Sequence, residues 1–204
     1  MLGDDPLGDA LELSRRAGFL GPAPVADHLR HSRAFMSLIG AGARLADLGA
    51  GGGVPGLVVA AERPDLEVVL IESSRRRADH LRRLIERLSL AGRVSVDDRP
   101  AETVGRDPAR RGAFDIVVAR GFAPPAATAE CAAPLLGVGG RLLVAEPPAP
   151  SSTRWAGLAT TDLPLTLVQV RAADGAHIAE LVLQARCPDR YPRRPGVPAR
   201  SPRF

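Results

Sequence analysis

Short apolar runs alternate with amphipathic stretches along most of the 204-residue chain. Five of these runs predict strands, at 44–48, 67–71, 93–96, 114–119 and 141–145. The apolar positions between them recur at helical spacing and predict helices at 55–61, 75–90 and 126–136. Because strands and helices alternate in this way, the chain is expected to form an α/β fold with a mostly parallel, doubly wound sheet.

The two ends of the chain depart from this alternation. Residues 1–43 carry two helical patterns, the second over about 25–38, and predict a short helical cap. Near the other end, apolar runs at 165–171 and 178–185 flank the turn pair Asp174-Gly175, which predicts an antiparallel hairpin at the sheet edge. The expected parts are therefore a cap (1–43), a ligand-binding domain (44–185) and a tail (186–204).

The turn after the first strand is rich in glycine and fits two ligand-binding patterns. Gly51, Gly53 and Gly56 satisfy G-x-G-x-x-G, which seats a pyrophosphate on a helix N-terminus. Gly49, Gly51 and Gly53 satisfy G-x-G-x-G, with Asp47 two residues upstream, as in S-adenosylmethionine (AdoMet) sites. A carboxylate at the mouth of the loop would repel a pyrophosphate and attract a ligand that carries an ammonium and a sulfonium. Asp47 therefore favours AdoMet.

Ligands of such sheets bind beyond the carboxyl ends of the strands. Glu72 ends the second strand, nineteen residues past Gly53, where an acid accepts hydrogen bonds from both ribose hydroxyls. Ala101 and Glu102 follow the third strand, where they are expected to face an adenine. Arg120 ends the fourth strand on the expected substrate side, where a guanidinium can grip a phosphate or a guanine edge by two hydrogen bonds.

These strand ends carry no group of residues typical of acid–base or nucleophilic catalysis. They hold no Ser/His/Asp set, no paired carboxylates and no cysteine nucleophile. A reaction that needs no general base therefore fits best. Methylation at N7 of guanine is such a reaction, because that nitrogen already carries an exposed lone pair. Holding it in line with a sulfonium methyl can supply most of the acceleration.

The composition also bears on where the protein acts and on whether it binds a metal. No run of eighteen apolar residues predicts a membrane span, and the acidic N-terminus lacks the apolar core of a signal peptide, so we expect a cytoplasmic protein. Cys131 and Cys187 are isolated in the sequence. His28 and His31 are three positions apart, with no third ligand type nearby, so we expect packed or solvated side chains and no metal site.

The positive charge of the chain is concentrated in the tail. Residues 186–204 contain six arginines and one acid, although the net charge of the whole chain is only +4. All 27 basic residues are arginine, which indicates compositional bias as much as function. The location of the charge is therefore more informative about nucleic-acid binding than the net charge.

Five motifs give the chain a resemblance to a known family. They are DLGAGGGVPGL at 47–57, IESSRRRADHL at 71–81, RPAE at 99–102, FDIVVARGFAP at 114–124 and RYPRRPGVPARSP at 190–202. These motifs are similar to those of the RsmG (GidB) family of small-subunit ribosomal RNA guanine-N7 methyltransferases, from about Gly18 to the end of the chain. The tail motif is the most discriminating, because methyltransferases at large do not carry it.

The resemblance implies a Rossmann-like class I AdoMet-dependent methyltransferase fold, with AdoMet as cofactor. The implied substrate is a guanine in 16S ribosomal RNA, free or within the small ribosomal subunit. It also implies an acceptor-side catalytic role for Arg120 and RNA contacts for Arg99 and for the tail arginines Arg193, Arg194 and Arg200. We expect the chain to act as a monomer.

The chain departs from the family pattern in three places. The N-terminal region is shortened and lacks an Asn-Leu-Thr stretch, Glu146-Pro147 replaces a Lys-Gly pair, and Ala176 replaces an arginine. Two alternatives therefore stay open. One is a catalytically silent paralogue that binds AdoMet or RNA, and the other is a methyltransferase that acts on a small molecule. The arginine-rich tail argues against the second.

Overall fold

The computed structural model describes residues 5–149 and 152–204. Its strands are β1 (Arg44–Leu48), β2 (Glu67–Ile71), β3 (Val94–Asp97), β4 (Phe114–Ala119), β5 (Leu136–Glu146), β6 (Leu165–Ala173) and β7 (Ala176–Leu183). Its α-helices are α1 (Pro6–Arg16), α2 (Val25–Met36), α3 (Gly56–Glu62), α4 (Arg75–Arg87), α5 (Ala101–Arg106), α6 (Pro125–Ala132) and α7 (Val197–Arg200), and a 3-10 helix covers Ser152–Thr160. Within these residues no helix has the length and apolar character needed to cross a membrane.

The strands form one sheet in the order β3-β2-β1-β4-β5-β7-β6. β1 pairs in parallel with β2 and β4, so Asp47 lies opposite Leu70 on one side and Val118 on the other. The strand order reverses between β1 and β4, and their carboxyl ends are therefore the switch point at which ligands of α/β sheets bind. β7 runs antiparallel to β5 and β6, which confirms the predicted edge hairpin.

Apolar layers cover both faces of the sheet and hold the ends of the strands in place. Because successive side chains of a strand point to opposite faces, β1 contributes to both layers. Leu45 belongs to the layer that contains Leu57 of α3 and Leu81 of α4. Leu48 belongs to the opposite layer, together with Trp155 of the 3-10 helix. The glycine-rich turn thus leaves a strand that is buried on both sides.

Two predicted boundaries around α6 are wrong. The helix stops at Ala132 and not at 136, because Pro134 has no N–H with which to continue the helical hydrogen bonds. β5 begins at Leu136 and not at 141. Gly139 and Gly140 lie inside β5, at a register irregularity opposite the start of β4.

The other differences concern helices. The second predicted helix ends at Met36 instead of 38, and α4 ends at Arg87 instead of 90. Ser89 has a φ of 55°, which a right-handed helix does not allow. No helix was predicted after β3, but Pro100 caps a six-residue helix there, α5. Such a helix is too short to show an apolar repeat in the sequence.

The tail packs against the domain. The guanidinium of Arg111 donates to three of its carbonyl oxygens, those of Cys187 at 2.8 Å, Pro188 at 2.9 Å and Tyr191 at 2.8 Å. Tyr191 itself is only 1% exposed. Cys187 and Cys131 are both buried, and burial raises the pKa of each thiol. The thiols are therefore packed and poorly suited to act as nucleophiles.

Candidate functional site

The turn between β1 and α3 is a cradle of backbone atoms. Gly49, Gly51 and Gly53 have φ values of 71°, 55° and 100°, in the left-handed region that favours glycine. A Cβ atom on Gly49 would lie 2.8 Å from Cδ2 of Phe122. Glycine at this position therefore lets the backbone of the loop approach a neighbouring group that any side chain would displace.

Glu72 fixes the glycine turn from the neighbouring strand. Its Oε2 accepts a hydrogen bond from the backbone N–H of Gly51 at 3.0 Å, and its Oε1 accepts one from Ser74 N–H at 2.8 Å. The residue is 5% exposed. Each carboxylate oxygen has room for a second donor, so the side chain is held in place and can still accept hydrogen bonds from a ligand.

Asp47 lies beneath the turn and not at its mouth, the position expected from the sequence. Its side chain is turned toward the start of α3, and Oδ2 accepts a hydrogen bond from Gly56 N–H at 2.8 Å. The residue is fully buried, and Oδ1 has no partner among the described residues. Burial raises the pKa of this carboxyl to about 7; Gly56 N–H and Arg120 oppose the shift, and Glu72 adds to it. Direct contact of Asp47 with a cofactor stays a prediction.

A pocket of about 210 Å³ opens at the carboxyl ends of the strands. It is lined by Gly49, Ile71, Glu72, Ser73, Arg77, Ala101, Gly121 and Phe122. Three of these residues, Gly49, Glu72 and Ala101, were predicted to bind a cofactor, and the structure brings them together. The residues present fit a nucleoside, because an acid can bind ribose hydroxyls while Ile71 and Phe122 offer apolar contact to a base.

Two other predicted site residues are engaged in contacts within the protein. Oε1 of Glu102 accepts a hydrogen bond from Gly196 N–H at 2.8 Å, and this ties α5 to the tail. Arg99 forms ion pairs with Asp97 at 2.7 Å and with Asp107 at 2.9 Å. The adenine contact of Glu102 and the RNA contact of Arg99 stay predictions, and each would have to coexist with these bonds.

Arg120 extends from the end of β4 to α2. Its Nη2 donates to Nδ1 of His28 at 2.8 Å, and its Nη1 is buried with no partner among the described residues. His28 is 3% exposed, and its Nε2 lies 3.3 Å from the carbonyl oxygen of Gly21. The sequence predicted a packed or solvated histidine at this position and gave no sign of the contact with Arg120. Within the described ranges no three His, Cys, Asp or Glu side chains form a group suited to a metal ion.

The three arginines predicted to bind RNA in the tail have different surroundings. Nη2 of Arg193 lies 2.6 Å from Oε2 of Glu130, a residue with no exposed surface. The charge of Arg193 is therefore largely used inside the protein. Arg194 and Arg200 are exposed, so their guanidinium groups are open to an external partner.

A second basic surface borders the pocket and was less evident from the sequence. Arg75, Arg76 and Arg77 are exposed in the first turn of α4. The guanidinium carbons of Arg76 and Arg77 lie 5.2 and 5.9 Å from the ring centroid of Phe19. At these distances a cation is attracted to an aromatic face. Arg77 also lines the pocket.

Comparison with known proteins identifies relatives of this chain. A family model described as rRNA small subunit methyltransferase G matches residues 23–147. A protein named Ribosomal RNA small subunit methyltransferase G from Rubrobacter xylanophilus is 35% identical over an alignment of 175 residues that covers 79% of this chain and 66% of that protein. A protein of the same name from Roseiflexus sp. is 37% identical over an alignment of 185 residues that covers 87% of this chain and 79% of that protein.

Solved structures with low sequence identity share the fold. An O-methyltransferase from Bacillus cereus in complex with SAH has a TM-score of 0.62 and 18% identity, covering 89% of this chain and 92% of that one. A 16S rRNA methyltransferase of T. thermophilus in complex with AdoMet and guanosine has a TM-score of 0.50 and 21% identity, covering 78% and 40%. The fold is therefore the predicted Rossmann-like class I methyltransferase fold.

Proposed function

The chain belongs to the family of rRNA small subunit methyltransferase G, and on that premise we propose that it transfers the methyl group of AdoMet to N7 of a guanine in 16S ribosomal RNA. The observation that carries the proposal is the pocket at the switch point of the sheet, where Gly49, Glu72 and Ala101 meet. In this proposal the protein acts as a monomer. The reaction is placed in the cytoplasm, where ribosomal RNA is found.

Within this pocket, Glu72 would hold the ribose of AdoMet. Its two oxygens are already oriented by the N–H groups of Gly51 and Ser74, so no side-chain freedom is lost on binding. The glycine turn would approach the methionine part of the cofactor. The unpaired Oδ1 of Asp47 beneath the turn supplies negative potential that favours a ligand with an ammonium and a sulfonium.

The protein's part in the methyl transfer is to orient the acceptor. Bound AdoMet would supply a sulfonium methyl group, to which the lone pair of N7 would form the new C–N bond while the electron pair of the broken C–S bond would stay on sulfur. No proton leaves N7, so no residue has to act as a general base. Arg120 would grip the guanine edge or its phosphate, and orientation of this kind can supply most of the rate acceleration.

The direct test is methyl transfer from labelled AdoMet to small ribosomal subunits, and to free 16S RNA, that lack the modification. Mass spectrometry of the nucleosides should then detect 7-methylguanosine only after incubation with the protein. Transfer to another nucleoside would overturn the N7 assignment. AdoMet binding without any transfer to either RNA would identify a silent paralogue, and transfer to small molecules alone would identify a different substrate class.

A further inference from the structure

We infer that His28 is a positioning residue that holds the guanidinium of Arg120 on the acceptor side of the site. The inference rests on the proposed function in one respect, namely that Arg120 acts on the methyl acceptor. The contact itself spans 92 positions of the chain and joins α2 to the end of β4. It therefore links the helical cap to the strand that ends at the site.

The hydrogen bond fixes the chemical state of His28. A guanidinium is always protonated and can only donate, so Nδ1 of His28 has to accept the bond from Arg120 Nη2. The proton of the neutral ring is then on Nε2, which faces the carbonyl oxygen of Gly21 at 3.3 Å. Both ring nitrogens have a suitable partner in this single tautomer, and in no other state of the ring.

Burial supports the same state. His28 is 3% exposed, and burial lowers the pKa of its ring below the usual value. The charge of Arg120 lowers the pKa further, whereas the Gly21 carbonyl and Asp27 act in the opposite direction. A neutral histidine is a hydrogen-bond acceptor that adds no second charge, which suits a partly buried arginine.

The unpaired oxygen of Asp47 explains why Arg120 needs a hydrogen-bond acceptor on α2. Asp47 attracts the guanidinium of Arg120, but the two side chains do not form an ion pair within the described residues. Oδ1 of Asp47 is unpaired beneath the glycine turn. Without the hydrogen-bond acceptor on His28, this unpaired oxygen is a competing partner, and the guanidinium of Arg120 would turn away from the methyl acceptor toward the cofactor loop.

Two substitutions distinguish a positioning role of His28 from a purely structural role. His28→Ala removes the acceptor, whereas His28→Asn places a carbonyl oxygen close to the position of Nδ1. With saturating AdoMet, His28→Ala should lower the rate of methyl transfer to small ribosomal subunits roughly ten- to a hundredfold, the usual loss for a hydrogen bond to a charged group. His28→Asn should stay within about threefold of the wild-type rate, because a neutral acceptor is retained.

The control variant is His31→Ala. His31 is three residues further along α2 and feels the charge of Arg120, but it makes no hydrogen bond to it among the described side chains. This variant should keep the wild-type rate. In an Arg120→Ala background, His28→Ala should have no further effect, because the group that it positions is absent. Thermal unfolding and AdoMet affinity, measured for every variant, establish that each is folded.

Two results would overturn the inference. One is a folded His28→Asn protein as impaired as His28→Ala. The other is a ¹⁵N NMR spectrum of the labelled imidazole in which Nδ1 carries the proton, and this second result does not depend on activity. If the wild-type protein transfers no methyl group, or if Arg120→Ala transfers it as fast as the wild type, the proposed function of Arg120 fails, while the spectrum still decides whether the contact exists.

Discussion

Arg193 and Glu130 form a forked ion pair although 63 positions separate them in the chain. Nε of Arg193 lies 2.8 Å from Oε1 of Glu130, Nη2 lies 2.6 Å from Oε2, and the backbone N–H of Arg193 also donates to Oε1 at 2.8 Å. Glu130 has no exposed surface. Arg193 of the tail motif is therefore used to attach the tail to α6.

The first prediction concerns stability. Arg193→Ala leaves the Glu130 carboxylate buried without a counter-ion, and the free energy of unfolding should fall by about 3–5 kcal/mol. Urea denaturation measures the change. The matched control is Arg194→Ala, at the exposed next position, which should change stability by less than about 0.5 kcal/mol. Equal effects of the two substitutions would show that the ion pair does not anchor the tail.

Glu72 provides a test of cofactor binding. Glu72→Ala removes the acceptor for the Gly51 and Ser74 amides together with the predicted ribose contact, so AdoMet affinity should fall about tenfold or more. Isothermal titration calorimetry gives the affinity. Glu67→Ala is the control, because that acid begins the same strand with a side chain that is 74% exposed. A similar loss in both variants would contradict the ribose assignment.

Asp47 should make stability depend on pH. Its pKa in the folded protein is about 7, against an ordinary value of 3.8, because the carboxyl is buried. Between these values the folded protein holds a proton that the unfolded chain releases, so this group's contribution to stability falls as pH rises from about 4 to about 7. The unfolding free energy of the wild type minus that of Asp47→Asn, measured at several pH values, should fall as pH rises through that window.

The same carboxyl should couple AdoMet binding to proton release. A cationic ligand favours the ionised form of Asp47, so affinity should rise between pH 6 and pH 8 and binding should release a fraction of a proton near pH 7. Calorimetry in two buffers with different ionisation enthalpies counts the released protons. Asp47→Asn should release fewer, and an unchanged count would mean that Asp47 does not sense the cofactor.

RNA binding should depend on the exposed tail arginines. Replacing Arg194 and Arg200 together by alanine should weaken binding to 16S RNA. The negative slope of log K against log salt should become less steep by about 1.4, since each phosphate contact contributes roughly 0.7 for single-stranded nucleic acid. Arg15 and Arg16 of α1, which pair with Glu12, form the control pair. AdoMet affinity should not change, and an unaltered salt slope would remove these residues from the RNA-binding surface.

The sequence predicted those parts of the fold that depend on local pattern. The bounds of β1, β2 and β4 are as expected, because buried strands read as continuous apolar runs between clear turn signals. Contacts between residues that are far apart in the sequence could not be predicted. No local signal pairs Glu130 with Arg193 or His28 with Arg120, and the burial of Asp47 follows from how α3 packs on β1. The short helix α5 was missed for a different reason, since six residues hold less than two helical turns.

The tail contacts also affect how the chain folds during its translation. Glu130 and Arg111 lie in the middle of the sequence, but their partners, Arg193 and the carbonyls of residues 187–191, are translated only after the whole sheet. Until those residues leave the ribosome, a buried carboxylate and a guanidinium have no counterparts, and the nascent chain should be an incomplete, aggregation-prone intermediate. A stop codon just after β7 should therefore yield a product that proteases remove, even though every strand of the sheet has been synthesised.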